Sequence, residues 1–227
     1  MGLHLVIGNK NYSSWSMRPW IAMKVAGIPF EETLIPLYVP GSTERILAFS
    51  PAGKVPVLVD DGLPIWESLA ILEYLAEKFP AAKLWPEDRV ARAHARVVAN
   101  EMHGGFQALR RHLPMNLWRP PKAHALPDDV VAQAARIDAL WADCRARFGQ
   151  GGPFLFGAFG AADAMYAPVV ARLHNYAVPV GEGAKTYMRA VMDLPAWREW
   201  ANAGLRETWV MQGNEVDWPE VPRLPAP

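Results

Sequence analysis

The chain has little cysteine, no net charge and no long hydrophobic run. Its one cysteine, Cys144, excludes an internal disulfide and a C-x-x-C redox pair. Basic and acidic residues number 23 each, with no basic block, so we expect no nucleic-acid partner. No run of about eighteen apolar residues is present, so we expect no membrane span, and the N-terminus lacks a secretory signal pattern. These absences favour a cytoplasmic location.

The composition otherwise favours an ordinary soluble globular protein. Hydrophobic residues make up 51% of the 227 residues and charged residues 20%. That length allows one or two domains with a substantial core.

The first eighty residues alternate between strand-like and helix-like runs. In order they are "LHLVIG", "SMRPWIAMKVAG", "PFEETLIPL", "STERILAFS", "VPVLVDDGLPIW" and "ESLAILEYLAEKFP". We predict a strand, a helix ended by Gly27, a strand, a short helix capped by Ser42 or Thr43, a hairpin turning at "DDG", and an amphipathic helix. This order predicts a small α/β layer with a mixed sheet.

From about residue 87 the pattern is helical. "GG" at 104–105 should bend one helix, Cys144 falls on a buried stripe, and Pro168 should kink an apolar helix central to a second core. We therefore predict an α/β domain over 1–80, an all-helical domain over 88–210 and an extended, Pro-rich tail over 211–227.

The loop "NYSSWS" follows the first predicted strand, where α/β sheets usually bind ligands. If Ser16 caps the next helix, Pro19 takes its third position and the free N–H groups favour an anion. A hydroxyl from Ser13 or Ser14 would add a hydrogen bond and lower the pKa of a bound thiol. The alternative is a serine-rich helix cap without chemistry.

Two further segments suggest ligand contacts. In "KVPVL" a cis bond before Pro56 would turn the backbone of Val55 toward an extended peptide, although an edge-strand proline explains the same pattern. In "WES", Glu67 and Ser68 stand at a helix start and together suit an α-amino-acid head group. Simple N-terminal capping is the alternative there.

These segments, in this order, resemble the cytosolic glutathione transferase family over nearly the whole chain. "AGKVPVLVDDGLPIWESLAILEYLAEKFP" is the most specific segment, and "SSWSMRPWI" resembles the serine-type loops of the zeta and tau classes. The chain is thus identified as a zeta- or tau-like bacterial member. The resemblance implies a thioredoxin-like N-terminal domain followed by an all-α helical domain.

The resemblance also implies roles for five residues. Ser13 would donate a hydrogen bond to the sulfur of glutathione. Val55 would bond the cysteinyl backbone of glutathione, with Pro56 as the cis-proline. Glu67 and Ser68 would hold the γ-glutamyl head.

Some roles stay open within the resemblance. Tyr12 and Ser14 are rival partners for the sulfur. The family's usual ligand for the glycyl carboxylate has no clear match here, and Arg45 or Lys54 would have to serve. Arg18 is interpreted as structural.

Other features narrow the chemistry. Serine replaces the cysteines of a thioredoxin-type loop, so this loop cannot exchange disulfides. Trp15 stands where zeta-class loops carry cysteine, which disfavours a zeta-type isomerase. Asp163 keeps half of the family's capping box, with Gly160 in place of the hydroxyl residue, and is interpreted as structural.

The expected function is a glutathione transferase that joins the thiolate to a small hydrophobic electrophile, as in detoxification. Met102, Phe106 and Trp118 either line the electrophile site or pack the core.

The resemblance implies a homodimer. We expect no metal, since the predicted helix-surface residues His103, His112 and His174 lack ligand spacing. Alternatives are a glutathione-dependent isomerase of the maleylacetoacetate type, a dehalogenase or peroxidase, or a non-catalytic binding module.

Overall fold

The computed structural model describes residues 2–225. The strands are β1 (Leu3–Ile7), β2 (Phe30–Leu34), β3 (Val57–Asp60) and β4 (Leu63–Trp66). The helices are α1 (Ser14–Val25), α2 (Ser42–Leu47), α3 (Ser68–Lys78), α4 (Arg89–Gly104), α5 (Gln107–His112), α6 (Asp128–Phe148), α7 (Ala161–Asn175), α8 (Glu182–Met192) and α9 (Pro195–Leu205). No helix within residues 2–225 is long and apolar enough to cross a membrane.

The four strands form one mixed sheet in the order β2-β1-β3-β4. β1 runs parallel to β2, with Leu5 opposite Glu32, and antiparallel to β3, with Leu5 opposite Leu58. Because side chains alternate along a strand, Leu5 packs in the core that contains α1 and α3, while Val6 packs with Ile46 of α2. The prediction of an α/β layer with a mixed sheet is confirmed.

The turn between β3 and β4 has the backbone that a tight hairpin requires. Asp61 and Gly62 have φ values of 47° and 86°, and two successive positive φ values are typical of a type I′ turn. The hairpin predicted at "DDG" is confirmed. Its return strand pairs Trp66 with Val57 and so brings the start of α3 beside Pro56.

The sequence predicted the residue that ends α1 and the residue that caps α2. α1 ends at Val25, and Gly27 follows with a φ of 66°, as predicted. The predicted cap of α2 is wrong, because the N-cap is Gly41, with a φ of 79°, and Ser42 is already the first helical residue. The left-handed glycine starts this helix without a side-chain cap.

The glycine pair at 104–105 ends a helix and does not merely bend it. α4 closes with a hydrogen bond from the Gly105 N–H to the Glu101 carbonyl at 2.9 Å. Phe106 then adopts a φ of 57°, which no helix continues, and α5 begins at Gln107. The helical domain therefore has two helices, α4 and α5, where the hydrophobic periodicity predicted one helix.

A single hydrophobic cluster runs through both parts of the chain. It contains Trp20 of α1 together with Trp141 of α6 and Tyr166 of α7, all of them buried. α7, with Pro168 inside it, packs against both α1 and α4. The second core that the sequence predicts is therefore continuous with the first, and α7 fixes the helical domain against α1.

Asp163 has the structural role expected of it. This fully buried carboxylate accepts hydrogen bonds from the N–H of Leu155 at 3.0 Å and of Gly160 at 2.9 Å. It thereby satisfies one donor at the start of α7 and one in the preceding loop. Burial raises the pKa of Asp163 to about 6.

Cys144 lies on the buried seam of α6, as predicted, with no exposed surface. Burial, reinforced by the neighbouring Asp143 charge, raises the pKa of its thiol to about 12. Since only the thiolate reacts readily, we expect Ellman's reagent at pH ~8 to leave the native protein unlabelled. The same reagent should label one thiol per chain in denaturant, and labelling of the native protein within minutes would contradict this assignment.

The tail predicted as extended over 211–227 is folded where it is described. A 3₁₀ turn at Gln212–Asn214 and a turn at 216–220 precede a buried Val221. Arg119 binds the Asp217 carboxylate through two nitrogens, at 2.9 and 2.6 Å from Oδ2. Proline content predicted an extended segment, but this long-range ion pair holds the segment against the body of the protein.

Candidate functional site

A cavity of about 600 Å³ lies between the sheet domain and the helical domain. All five residues of the predicted site border it, namely Ser13, Val55, Pro56, Glu67 and Ser68. They come from three segments that are far apart in sequence: the start of α1, the loop before β3 and the start of α3. The order of elements thus brings the three predicted segments to one place.

Ser13, not Ser16, is the N-cap of α1. Its Oγ accepts from the Ser16 N–H at 3.4 Å, while the Oγ of Ser16 accepts from the Gly8 N–H at 3.0 Å. The helix therefore starts three residues earlier than predicted, and Pro19 lies inside it rather than at its third position. The Ser16 hydroxyl is unavailable as a cap because it joins β1 to α1.

The Ser13 hydroxyl borders the cavity and is hydrogen-bonded to the Ser16 hydroxyl. Its Oγ lies 2.8 Å from the Oγ of Ser16, and the residue is 7% exposed. Since a hydroxyl rotates to suit its partners, Ser13 can accept from Ser16 and turn its own proton to a ligand. The ligand atom would also face the positive end of the α1 dipole.

The rival hydroxyls of Ser14 and Tyr12 have other partners. Ser14 Oγ accepts from Nη2 of Arg172 at 3.2 Å. The Tyr12 hydroxyl donates to the Glu215 carboxylate, and burial together with this bond raises the pKa of the phenol. A phenol that donates to a carboxylate has no proton left for a sulfur.

The loop before β3 presents free backbone groups to the cavity. The Val55–Pro56 peptide bond is cis. Neither the N–H nor the C=O of Val55 has a hydrogen-bond partner among residues 2–225. Lys54 also borders the cavity, whereas Arg45, the other residue considered for a carboxylate, does not.

The start of α3 combines a carboxylate with a helix N-terminus. Glu67 is the N-cap, with a φ of 68°, and Ser68 is the first residue of the helix. The buried Ser68 Oγ accepts from Nη1 of Arg18 at 3.3 Å and lies 3.9 Å from Sδ of Met165. Because that hydroxyl has internal partners, the N–H of Ser68 is the group most readily offered to a ligand.

The family models for the N-terminal and the C-terminal domain of glutathione S-transferase match residues 12–78 and 91–203. The chain belongs to the glutathione S-transferase family.

Individual relatives of this glutathione S-transferase family member match it over part of its length or at low identity. A probable maleylacetoacetate isomerase of Caenorhabditis elegans is 39% identical over 111 residues, which are 49% of this chain and 52% of that protein. The match therefore spans about half the length of that relative. Glutathione S-transferase GstB of Escherichia coli K12 is 27% identical over 174 residues, which are 75% of this chain and 84% of that protein.

Solved structures show the same fold. The structure of a glutathione transferase homologue from Burkholderia GL BGR1, with bound glutathione, has a TM-score of 0.67 and 22% identity. It covers 89% of this chain and 97% of that one. The predicted architecture, an α/β thioredoxin-like domain followed by an all-α domain, is that of the glutathione S-transferase family.

The sequence did not identify His103 as a site neighbour. Its Nε2 lies 3.5 Å from Oε2 of Glu67, and its ring makes an edge contact with Trp15 at 5.3 Å. Burial, with the nearby Arg18 charge second, lowers the pKa of this histidine. The expectation of a surface histidine is therefore wrong, and His112 and His174 are also partly buried.

Arginines form the second unpredicted feature. The guanidinium groups of Arg18 and Arg110 lie 4.1 and 4.7 Å from the Trp15 ring centre. Arg110, Arg111 and Arg172 border the cavity, in which Glu67 is the one carboxylate among the described lining residues. Burial lowers the pKa of Arg172 to about 10, with repulsion from Arg110 as the second cause. These positive charges favour a negatively charged ligand atom.

Of the two alternatives for Met102, Phe106 and Trp118, the structure shows core packing. Met102, Phe106 and Trp118 are buried in packing contacts, and none of them borders the cavity. The apolar lining on the helical side comes instead from Pro114 and Met211. No cluster of three or more metal-ligating side chains occurs within the described part of the chain.

Proposed function

We propose that this protein is a glutathione-dependent transferase. The observation that carries the proposal is the meeting of three groups at one cavity: the Ser13 hydroxyl, the unpaired backbone of Val55 and the Glu67 carboxylate. A thiol-containing tripeptide has a counterpart for each of them. Membership of the glutathione S-transferase family supports the same ligand.

Glutathione would lie across the sheet domain. Its γ-glutamyl ammonium would pair with Glu67, and its γ-glutamyl carboxylate would accept from the Ser68 N–H at the start of α3. Its cysteinyl backbone would bond the N–H and C=O of Val55, as an added strand does. Lys54 is the cation that borders this side of the cavity and would bind the glycyl carboxylate.

Ser13 would stabilise the thiolate. A free thiol has a pKa of about 8.5, so little of it is ionised at neutral pH. A hydrogen bond from Ser13, the α1 dipole and the arginine charges at the cavity would each favour the ionised sulfur. The thiolate would then attack an electrophile held against Pro114 and Met211, and positioning would supply much of the rate.

An isomerase is the second candidate. The cationic lining formed by Arg110, Arg111 and Arg172 suits a carboxylate-bearing substrate, and the relative from C. elegans is named as a probable maleylacetoacetate isomerase. A thiolate that adds to a cis double bond and leaves after rotation would release the trans product and consume no glutathione. Product analysis with maleyl compounds, chloronitroaromatics and hydroperoxides separates the isomerase, the transferase and a peroxidase.

Glu67→Gln tests the binding mode. We expect calorimetry at neutral pH to show that wild type binds glutathione and that Glu67→Gln loses affinity by about tenfold or more, since the amide cannot pair with the ammonium. Glu77→Gln is a matched control, because Glu77 is exposed on the far turns of the same helix. If wild type takes up no glutathione, the proposed function is wrong; if it binds glutathione but converts no substrate, the chain is a binding module.

Assembly and location follow from the same proposal. We infer a cytoplasmic homodimer that acts on small hydrophobic electrophiles in detoxification. A monomeric mass in light scattering at micromolar concentration would contradict the dimer, and recovery of the protein outside the cytoplasmic fraction would contradict the location.

A further inference from the structure

The C-terminal tail, residues 211–225 as described, forms part of the cavity. Met211, Gly213 and Asn214 border it beside Tyr12 and Pro114. The match to the C-terminal family domain ends at residue 203, so this part of the wall comes from chain beyond the matched region.

Glu215 fixes the tail at its centre. Its side chain is 4% exposed, accepts the hydrogen bond from the Tyr12 hydroxyl and lies 3.4 Å from Nε of Arg223. The Arg223 guanidinium in turn lies 4.8 Å from the ring centre of Trp118. A nearly buried carboxylate with a phenol and a guanidinium as partners is a strong anchor, because each lost partner would leave a desolvated charge.

Anchors on both sides of Glu215 hold the same segment. Nδ2 of Asn116 donates to the Asn214 carbonyl at 3.2 Å, and Nδ2 of Asn214 donates to the Met115 carbonyl at 3.4 Å. The bidentate pair of Arg119 with Asp217 follows two residues later. The cavity wall at 211–214 is thus fixed against the segment that follows α5.

The tail borders the helical side of the cavity. The groups assigned to the tripeptide, Val55 and Glu67, lie in the loop before β3 and at the start of α3. The tail residues are bonded instead to Met115 and Asn116, next to Pro114. A ligand group that extends from the sulfur toward the helical domain would meet the tail, whereas the tripeptide itself would not depend on it.

We propose that the tail is a specificity wall for the acceptor substrate and that Glu215 is its positioning residue. This inference rests on the proposed function, since it assumes that glutathione occupies the sheet side of the cavity. It also assigns Tyr12 to the tail as an anchor and not to the sulfur.

The test compares two ligands that differ by one apolar arm. S-hexylglutathione carries a hexyl chain on its sulfur, which should contact the wall, and glutathione carries none. In calorimetry we expect Glu215→Ala to lower the affinity for S-hexylglutathione by about five- to tenfold, because the tail loses an anchoring bond. The affinity for glutathione should change by less than about twofold. In the same Glu215→Ala variant, the Michaelis constant for a chloronitroaromatic substrate should rise.

Two variants make the result specific. Glu215→Gln keeps an oxygen that accepts from Tyr12 and should recover most of the S-hexylglutathione affinity. Glu220→Ala removes an exposed carboxylate of the same tail and should leave the affinity for both ligands unchanged. Circular dichroism checks that each variant is folded.

Three results would overturn the inference: an unchanged or improved ratio of the two affinities in Glu215→Ala, an equal loss for both ligands, or no recovery in Glu215→Gln. Failure of wild type to bind either ligand would instead reject the proposed function.

Discussion

Ser13→Ala should lower turnover by about 10²-fold, because it removes the hydroxyl that lies at the N-terminus of α1 and borders the cavity. Ser14 already accepts from Arg172, and Tyr12 already donates to Glu215. The pKa of bound glutathione should rise in the same variant, since its ionised form loses a hydrogen bond. Steady-state kinetics measures the first effect, and thiolate absorbance of the complex against pH measures the second.

The helix cap needs its own control, since Ser13 also starts α1. Alanine at an N-cap costs about 1 kcal/mol of stability, whereas glycine costs only a few tenths. Ser13→Gly therefore removes the hydroxyl and largely keeps the cap. An equal rate loss in both variants assigns the effect to the hydroxyl. If Tyr12→Phe loses as much turnover and Ser13→Ala does not, the sulfur partner is the tyrosine and the assignment is wrong.

Asp163→Ala should give a large loss of stability. Two N–H groups, of Leu155 and Gly160, would lose the acceptor that the fully buried Asp163 side chain provides. Each unsatisfied buried donor costs about 1–3 kcal/mol, so we expect a loss of about 3 kcal/mol or more. For a chain of this size that lowers the melting temperature by roughly 6–12 °C. Asp138→Ala is a matched control, because its single bond to the Gly181 N–H is exposed.

The pH dependence of stability gives a second test at Asp163. Burial raises its folded pKa to about 6, above the value of about 4 in an unfolded chain. Between those values the native carboxyl holds a proton that the unfolded one has released. The unfolding free energy contributed by this group therefore falls as pH rises from about 4 to about 6 and is level above that.

Asp163→Asn keeps the shape and one acceptor oxygen but cannot titrate. It should lose less stability than Asp163→Ala and lack this part of the slope. Denaturant titrations of both variants and wild type across this pH range measure the difference. An identical slope in wild type and Asp163→Asn would sink the claim that this carboxyl titrates near 6.

Local patterns in the sequence predicted most of the elements. The "DDG" turn, the Gly27 helix end and the buried stripe that holds Cys144 each depend on residues within one or two turns of chain. The cap at Ser16 and the unbroken helix through "GG" were wrong. Either Ser13 or Ser16 could cap α1 by the local rule, and the bond from the Gly8 N–H to the Ser16 hydroxyl left Ser13 as the cap. A glycine pair can bend or end a helix, and the left-handed Phe106 ends this one.

Prediction of the site followed the same division. Ser13, Val55 and Glu67 were predicted because each stands next to a strand or helix boundary that the sequence marks, and all three border the cavity. His103, Arg110 and Arg172 were missed because nothing in their own segments indicates a cavity. Arg110 reaches the cavity after the break that follows α4, and Arg172 reaches it through the packing of α7 on α1. His103 lies beside Glu67 from the last turn of α4.

By itself the sequence determined the order of the elements in the first eighty residues, the helical character of the rest, and the three segments that border the cavity. Those properties follow from hydrophobic period, turn residues and caps, which act over a few residues. Only the tertiary structure decided that Tyr12 is bonded to Glu215, that arginines border the cavity, and that the tail is folded onto the protein. Glu215 and Tyr12 are about two hundred residues apart, and no local rule relates groups that only the packing of the whole chain brings together.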